Sequence, residues 1–235
     1  MNIFVIAKRE LGAFFVSPIA YLVGAAFLFI TGLIFAFTVT GGEVASLFQV
    51  FNTTSVILLF VAPILTMRLL AEEARSGTLE LLMTAPVRDW EVVIGKFLAA
   101  FLFLVAMLVP TLCYLVLLTF YGEPDIPVTF AGYLGIVLLG SVLISFGLLT
   151  SAMSANQIVA AVLATAFTLA FWLVGLFATM FNGPLGTLLE YLSLQGHLRD
   201  FTLGLISTKS IIYFLSATAA ALFLAIRVLE VRRWR

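Results

Sequence analysis

The sequence has little charge: Asp, Glu, Lys and Arg make up 10% of its 235 residues, and their formal net charge is zero. Soluble domains carry roughly 25% charged residues, so an ordinary water-exposed surface is excluded. Hydrophobic residues make up 63% of the chain, more than a soluble domain of this size can hide from water. The solvent of most of the chain is therefore lipid. The balanced charge, with no basic patch, argues against nucleic-acid binding.

Residues that form metal, redox or nucleotide sites are also scarce. The single cysteine, Cys113, lies in an apolar run and has no second cysteine to pair with. His197 is the single histidine, so neither a His-Glu-x-x-His motif nor a zinc-binding cluster is present. Gly95-Lys96 is followed by Phe97, and no glycine lies five residues before Gly95. Because the phosphate-binding loop is missing, we predict that the chain holds no cofactor and hydrolyses no ATP itself.

The long apolar runs lack ionisable residues almost completely. Six of them reach the roughly 20 residues that a helix needs to cross a bilayer. They are residues 19–40, 53–70, 97–121, 130–151, 158–181 and 210–229. A proton- or sodium-coupled carrier usually places Asp, Glu or Arg in its spans, so energy for transport has to enter elsewhere. Ser141, Ser145 and His197 leave open an intramembrane Ser–His protease, although small residues within spans more often serve packing.

Basic residues are distributed unevenly around these spans. If both termini share one side of the membrane, ten basic residues fall on that side and two, Arg199 and Lys209, on the other. The ten are Lys8, Arg9, Arg68, Arg75, Arg88, Lys96, Arg227, Arg232, Arg233 and Arg235. Because cytoplasmic loops carry the excess of Lys and Arg, the pattern predicts cytoplasmic termini and a cytoplasmic link between the second and third spans.

The first 17 residues are amphipathic rather than membrane-spanning. Apolar side chains recur there at helical spacing. They are Ile3, Ala7, Leu11 and Phe14. Lys8 and Arg9 lie on the other side of the helix, and Glu10 falls near the edge of the apolar stripe. The pattern predicts a helix lying in the membrane interface, separated from the first span by Ser17-Pro18.

Residues 68–96 form the long polar interruption of the chain, with five of the twelve acidic residues and four basic ones. Within it, residues 71–95 are called the connecting segment below. Gly77 is placed to end a helix in the left-handed conformation. Thr78 is placed to cap a short helix over residues 79–84, with Glu80 in its first turn. Pro86 ends that piece, and Asp89 is placed to cap the next long helix.

The centre of the connecting segment is apolar although its flanks are charged. Glu72, Glu73 and Arg75 are expected to continue the helix of the second span. The apolar residues that follow are Leu79, Leu81, Leu82 and Met83. A plain hydrophilic loop gains nothing from exposing such side chains, whereas a docking surface for another protein does.

Residues 182–209, between the fifth and sixth spans, are too polar to cross the membrane and too apolar for a free loop. Leucines and Phe201 alternate there with charged residues. Short interfacial or re-entrant helices, broken near Gly196 and Gly204, fit this composition, because protein or a water-filled cavity can cover such backbone at membrane depth. We predict an external gate, with an ordinary interfacial loop as the alternative. The gate residues are Glu190, His197, Arg199 and Asp200.

Three groups of motifs follow one another in a specific order. The first is Lys8-Arg9-Glu10-Leu11 with Ser17-Pro18. The second comprises Pro63-Ile64-Leu65-Thr66-Met67-Arg68-Leu69, Glu72-Glu73, Arg75, Gly77-Thr78, Glu80-Leu81-Leu82, Thr84, Pro86-Val87 and Gly95-Lys96-Phe97. The third comprises His197, Asp200-Phe201, Gly204 and Arg227-Val228-Leu229-Glu230. Together they resemble the ABC-2 type permeases of ATP-binding cassette transporters, and among these the small gliding-motility-type and copper/nitrous-oxide-associated branch.

The resemblance implies an all-α membrane protein with a type V exporter-like fold, in which residues 1–235 form one permease domain. Residues 1–17 would be its interfacial helix, the connecting segment its cytoplasmic coupling element, and residues 182–209 its external re-entrant helices. The implied ATPase-coupling residues are Glu72, Glu73, Arg75, Gly77, Thr78, Glu80, Leu81 and Leu82. The implied location is the bacterial plasma membrane.

The resemblance also implies partners. Two permease subunits, identical or different, would pair in the membrane, and two separate ABC ATP-binding subunits holding ATP and Mg²⁺ would dock beneath them. The many Phe and Leu residues fit a lipid-like substrate, but lipid-facing helices have the same composition. An alternative is a membrane-anchoring or regulatory subunit that contacts the ATPase and has no transport path of its own.

Overall fold

A computed structural model describes residues 2–40, 46–78, 88–120, 122, 124–178, 180–181 and 183–233. Over these ranges the chain is helical and contains no β-strand. The helices are α1 (Asn2–Val16), α2 (Pro18–Thr40), α3 (Phe48–Thr66), α4 (Ala71–Ser76), α5 (Asp89–Leu108), α6 (Leu112–Leu118), α7 (Ile126–Met153), α8 (Gln157–Ala178), α9 (Pro184–Leu192), α10 (Leu194–Thr202) and α11 (Thr208–Arg233). The predicted all-α class is confirmed.

Six segments of the described chain are long and apolar enough to cross a bilayer, and they coincide with the six predicted spans. They are α2, α3 with α4, α5 with α6, α7, α8 and α11. The largest difference is at an N-terminal end, since α5 begins at Asp89, whereas the prediction began at residue 97. Pro110 lies in a 3₁₀ turn, Val109–Thr111, between α5 and α6. Proline has no N–H for a regular α-helical hydrogen bond, so the span is interrupted there.

Helix α7 is the centre of the bundle. In the apolar stretch of α7, 83% of the residues are buried, against 17% in α2 and 22% in α8. Helix α7 packs against α3, α5, α8, α10 and α11. Glycines permit this packing: a Cβ at Gly135 would lie 2.5 Å from Cβ of Phe201 in α10, and one at Gly147 would collide with Thr66 in α3. Small residues let membrane helices approach closely, so α7 is fixed by contacts on most sides.

The bundle has two distinct ends. We call one the charged end: it contains α1, α4 and the first turns of α2 and α5, with α1 packed along α5. The other is the α9–α10 end, where these two short helices pack against α8 and α10 also contacts α3, α7 and α11. The predicted break between the N-terminal helix and the first span is present, because α1 ends at Val16 and α2 begins at Pro18. That α1 lies in the membrane interface stays a prediction.

Candidate functional site

A buried lysine joins three helices at the charged end. Lys96 of α5 has a side chain only 1% exposed, and its Nζ donates to Glu73 Oε1 of α4 at 2.7 Å and to Glu10 Oε1 of α1 at 3.1 Å. An ammonium group is almost never buried without such partners. We call Lys96, Glu10, Glu73 and Arg9 the ion cluster.

Arg9 completes the ion cluster from its exposed side. Its Nη2 donates to Glu10 Oε1 at 2.6 Å and lies 3.7 Å from Glu73 Oε1. Burial raises the pKa of Glu10, but the charge of Lys96 and the hydrogen bonds from Arg9 and Lys96 outweigh it, so that the pKa lies below its usual value. A lowered carboxyl pKa stabilises the fold at pH values above the usual pKa of glutamate, and this stabilisation is lost as the pH falls from there through the lowered pKa.

Gly95 lets α1 cross close to α5. A Cβ on Gly95 would lie 2.8 Å from Ile6 Cγ2 and 3.2 Å from the carbonyl oxygen of Ile3. Beyond this crossing the rings of Phe14 and Phe103 stack with centroids 5.1 Å apart. The Gly95-Lys96 pair, which is not part of a phosphate loop, is thus one of the points where α1 contacts α5.

The helix is interrupted at residues 67–70, between α3 and α4, where the sequence predicted a continuous helix. Ser151 of α7 explains the break: its Oγ accepts hydrogen bonds from the N–H groups of Leu70 and Ala71 and donates to the carbonyl of Met67, each at 3.1 Å. One hydroxyl has one donor and two acceptor positions, and all three are used. The start of the connecting segment is therefore attached to the central helix.

Arg68, in the same interruption, holds the junction of α1 and α2. Its Nη1 donates to Ser17 Oγ at 2.8 Å, and its guanidinium lies 5.0 Å from the centroid of the Phe14 ring. The residue therefore combines a hydrogen bond with a cation–π contact. Together with the ion cluster and Ser151, it fixes α1 and α4 to the membrane helices.

In the described part of the connecting segment, the predicted end of the first helix agrees with the structure. Gly77 ends α4 in the left-handed conformation, with φ of 72°, and Ser76 Oγ lies 2.8 Å from Thr78 Oγ1. Glu72 and Arg75 are exposed on α4. Glu80, Leu81, Leu82, the predicted helix over residues 79–84 and Pro86 lie outside the described residues.

The predicted cap of the following helix is displaced by one residue. Helix α5 begins at Asp89, and Arg88 occupies the capping position with extended backbone. The Arg88 N–H donates to Glu91 Oε2 at 3.0 Å, so a glutamate three residues into the helix satisfies the capping residue's own N–H. Asp89 lies in the first turn, where its charge is favourable.

At the opposite end, α9 and α10 form the predicted pair of short helices, but they are broken at Ser193 rather than near Gly196. Ser193 caps α10, its Oγ accepting from the Gly196 N–H at 3.2 Å. Gly196 is consequently inside the first turn of α10. Gly204, with φ of 85°, follows the end of α10 as predicted. Whether these helices are re-entrant stays a prediction.

The structure divides the four predicted gate residues into two pairs, of which His197 and Asp200 face inward. His197 is 6% exposed; its Nδ1 lies 2.9 Å from Ser210 Oγ and its Nε2 lies 3.0 Å from the Tyr191 carbonyl oxygen. Ser210 Oγ donates to Asp200 Oδ2 at 3.4 Å. Burial lowers the pKa of His197 below its usual value, although the Tyr191 carbonyl and Asp200 oppose this.

This inward pair does not have the arrangement of a hydrolase. The serine lies between the histidine and the aspartate, whereas a catalytic triad places the histidine between the other two. Both ring nitrogens of His197 are already occupied, and Ser141 bonds instead to Leu138 and Thr218. The contacts tie α10 to α11, and the protease alternative finds no support in them.

The other pair, Glu190 and Arg199, lines a cavity of about 470 Å³. The cavity lies between α3, α8, α9 and α10, with Asn52 and Trp172 among its walls. Within the described part of the chain, neither charged side chain forms an ion pair. The sequence indicated these residues as interruptions of an apolar segment, but it gave no sign that only two of the four share a cavity.

The fold defines a multi-pass, all-α membrane protein with charged residues gathered mainly at one end. The family model described as ABC-2 family transporter protein matches residues 15–229, and the chain therefore belongs to the ABC-2 family of transporter proteins. No curated protein matches the chain. The resemblance is confirmed at the level of the family, while the gliding-motility-type branch stays a prediction. Members of this family are membrane components that typically work with ABC ATPase partners.

Proposed function

We propose that this chain is the permease subunit of an exporter and that a separate ABC ATPase drives it through the connecting segment. The observation that supports this most directly is the attachment of α4. Lys96 joins α4 to α5 and α1, and Ser151 joins its first turn to α7. A displacement applied to the connecting segment is thereby passed to α5 and α7 of the bundle and to α1.

The proposed cycle begins when ATP draws two ATPase subunits together and moves the connecting segment. Helices α1, α4 and α5 then shift as a unit, and the path between two permease subunits changes its access from one side to the other. ATP shifts this equilibrium only to the extent that its binding energy differs between the inward and outward states. At the other end, α9 and α10 would form the external gate.

The proposed docking surface combines apolar and charged residues. Burial of one leucine from the centre of the connecting segment would contribute about 1.5–3 kcal/mol to ATPase binding. Exposed ion pairs formed by the charged residues that flank these leucines would contribute about 0–1 kcal/mol each. A groove of about 230 Å³ lies between α1 and α4, with Glu72, Arg68 and Lys96 in its walls. Affinity would come from the leucines and orientation from the charges.

We further propose the bacterial plasma membrane as the location, with both termini cytoplasmic and a second permease subunit, identical or different, alongside. ATP and Mg²⁺ would be bound by the ATPase. Helices α2 and α8 expose most of their apolar surface, which suits contact with lipid or with that second subunit.

Two substitutions test the coupling proposal. Leu82→Asp should weaken ATPase binding at least tenfold in a pull-down, because it places a charge where an apolar contact is needed. Gly77→Val should leave most binding intact and uncouple ATP hydrolysis from transport. A Cβ at Gly77 meets no atom within 4 Å, so the valine disturbs the left-handed backbone and the direction of the following chain without causing a clash.

Gly24→Val is the matched control, since a Cβ there also meets nothing within 4 Å and the backbone is ordinary helix. The purified chain alone should hydrolyse no ATP. If both test variants bind and couple like the parent, the connecting segment is not the coupling element. ATPase binding without any substrate movement in reconstituted vesicles would favour the anchoring or regulatory alternative.

A further inference from the structure

The hydrogen-bond partners of His197 determine which ring nitrogen carries the proton when the ring is neutral. Nε2 lies 3.0 Å from the carbonyl oxygen of Tyr191. A carbonyl oxygen can only accept, so Nε2 carries a proton as long as this contact is kept. In a neutral imidazole the other nitrogen is then an acceptor. Nδ1 of the neutral ring therefore needs a donor, and Ser210 Oγ, 2.9 Å away, supplies it.

The Ser210 hydroxyl has one proton and two acceptors that compete for it. Nδ1 of His197 lies 2.9 Å from its oxygen, and Oδ2 of Asp200 lies 3.4 Å from it. An ionised carboxylate can only accept, so the hydroxyl cannot donate to the neutral ring and to the carboxylate at the same time. The shorter contact is the one to the ring, as expected when the neutral ring receives the proton.

Protonation of His197 removes this competition. A proton taken from water occupies the lone pair of Nδ1, so that Nδ1 becomes a donor. Ser210 Oγ then accepts from the ring, and its own proton, which it keeps, rotates toward Asp200 Oδ2. Both hydrogen bonds now involve an ionised group, and such bonds are roughly twice as strong as neutral ones. The cation and the carboxylate are thus connected through one hydroxyl.

The surroundings of the ring partly favour the cation, although burial opposes it. Burial and the charge of Lys209 lower the pKa of His197, whereas the Tyr191 carbonyl and Asp200 raise it. The Tyr213 ring stacks on the imidazole with centroids 4.1 Å apart, and an aromatic face attracts a cation. The connection through Ser210 therefore limits a cost that burial imposes.

These are the titratable groups that face the ring from the neighbouring helices. Asp200 lies on α10 itself, Tyr191 on α9, and Lys209 and Tyr213 on α11. Helices α3 and α8, which also pack against α10, contain no titratable residue, and α7 contains only Tyr133. Changes in the charge of this part of the fold near neutral pH are therefore centred on His197.

We propose that the Ser210 hydroxyl is a two-position switch operated by protonation of His197. It donates to His197 when the ring is neutral and to Asp200 when the ring is cationic. Because His197 and Asp200 belong to α10 and Ser210 belongs to α11, the switch makes the contact between these two helices depend on pH. It rests on these contacts alone and is independent of the proposed function.

The single histidine of the chain makes the switch directly measurable. The full chain, with its histidine ring labelled with ¹⁵N, is placed in nanodiscs and titrated by NMR from about pH 7.5 to about pH 4.5, across the usual histidine range. We expect the neutral ring to carry its proton on Nε2, with an Nδ1 resonance displaced by an incoming hydrogen bond. Protonation should add an N–H signal at Nδ1 while the protein is still folded.

Two substitutions separate the hydroxyl from the charge. Ser210→Ala should lower the proton affinity of His197 about tenfold and remove the hydrogen-bond displacement of the neutral Nδ1 resonance. Asp200→Asn should also lower the affinity, because the negative charge is lost, but should leave the neutral Nδ1 resonance unchanged, since Ser210 still donates to it. The double variant should lower the affinity by less than the product of the two single effects, because Asp200 acts partly through Ser210.

Ser216→Ala is the matched control, since Ser216 lies on the same helix and donates to the carbonyl oxygen of Tyr213 instead; it should leave the titration unchanged. A neutral ring protonated at Nδ1 would overturn the proposal, and this result needs no variant. A ring that stays neutral until the protein unfolds would overturn it as well. The same holds for an unaltered titration in Ser210→Ala, or for fully multiplicative effects in the double variant, because Ser210 would then connect neither group to the other.

Discussion

Lys96 is the residue on which the charged end most depends, because its ammonium group neutralises two carboxylates from other helices. Replacing it with methionine keeps the apolar stem and removes the charge. Breaking a buried ion pair in this way typically costs about 3–5 kcal/mol, and since Arg9 remains beside Glu10 and Glu73 we expect about 3 kcal/mol. The free energy of unfolding, measured by denaturant titration in mixed micelles, should fall by this amount.

Lys8→Met is the control for Lys96→Met, because Lys8 is exposed on the same α1 and should change stability by no more than about 0.5 kcal/mol. The triple variant Lys96→Met, Glu10→Gln, Glu73→Gln should recover most of the loss, because it leaves no uncompensated buried charge. A Lys96→Met protein as stable as the parent would show that the ion cluster does not hold the three helices together.

His197 makes the α9–α10 end sensitive to acid. Its pKa is lowered in the folded protein, chiefly by burial, so below about pH 6.5 the unfolded chain binds protons more readily than the folded one. Stability is therefore full above that pH and falls with the pH until the lowered pKa is reached. The charged and titratable groups around the ring are Asp200, Lys209, Tyr191 and Tyr213.

The thermal midpoint of the parent should accordingly drop more between pH 7.5 and 5.5 than that of His197→Gln. Glutamine retains an N–H for the Tyr191 carbonyl and cannot be protonated. Thermal unfolding at several pH values in the same detergent measures the difference. Parallel pH profiles for the two proteins would show that a different group is responsible.

At the scale of helices, the spans were predictable because lipid imposes a length and a composition on them. Hydropathy alone located all six, and Ser17-Pro18 marked the end of α1. Gly77 was predictable for a different reason: a left-handed residue at a helix end is a local requirement. The sequence had a local signal at each of these positions.

The break between α3 and α4 had no such signal. Residues Met67 to Leu70 include neither glycine nor proline, and the hydroxyl that holds the turn is on Ser151, more than eighty positions along the chain. The break near Ser193 was misplaced because a capping serine, rather than the nearby Gly196, separates the helices. The first error concerns hydrogen bonds between residues far apart in the sequence, whereas the second overlooked a local signal, since Ser193 lies only three residues before the N–H that it caps.

The sequence indicated which segment forms the candidate site, but not which residues form hydrogen bonds and ion pairs with one another there. The charge density of residues 68–96 indicated the connecting segment, but the ion cluster depends on how α1 crosses α5 at Gly95. Two residues carried an indirect sign of it: Glu10 interrupts the edge of an apolar stripe, and Lys96 begins an apolar run. Charges on faces that are otherwise apolar suggest a partner without identifying it.

For the whole molecule, the distribution of ten basic residues against two predicts the orientation in the membrane. In a Cys113→Ser background, a cysteine introduced by Glu123→Cys should react with an impermeant maleimide added outside intact cells. One introduced by Ser76→Cys should react only after the membrane is permeabilised. Labelling of Ser76→Cys from outside, with Glu123→Cys protected, would reverse the orientation of the entire protein.

The position of α7 has a consequence for how the protein is made. Helix α7 is the most buried of the spans in the described chain, yet α8 and α11, which cover it, follow it in the order of synthesis. Its glycine-containing faces therefore meet lipid or the insertion machinery first and their final neighbours later. Any chain halted before Thr208 leaves one side of α7 uncovered, so quality-control proteases acting on nascent membrane proteins have a site to recognise until α11 has been inserted.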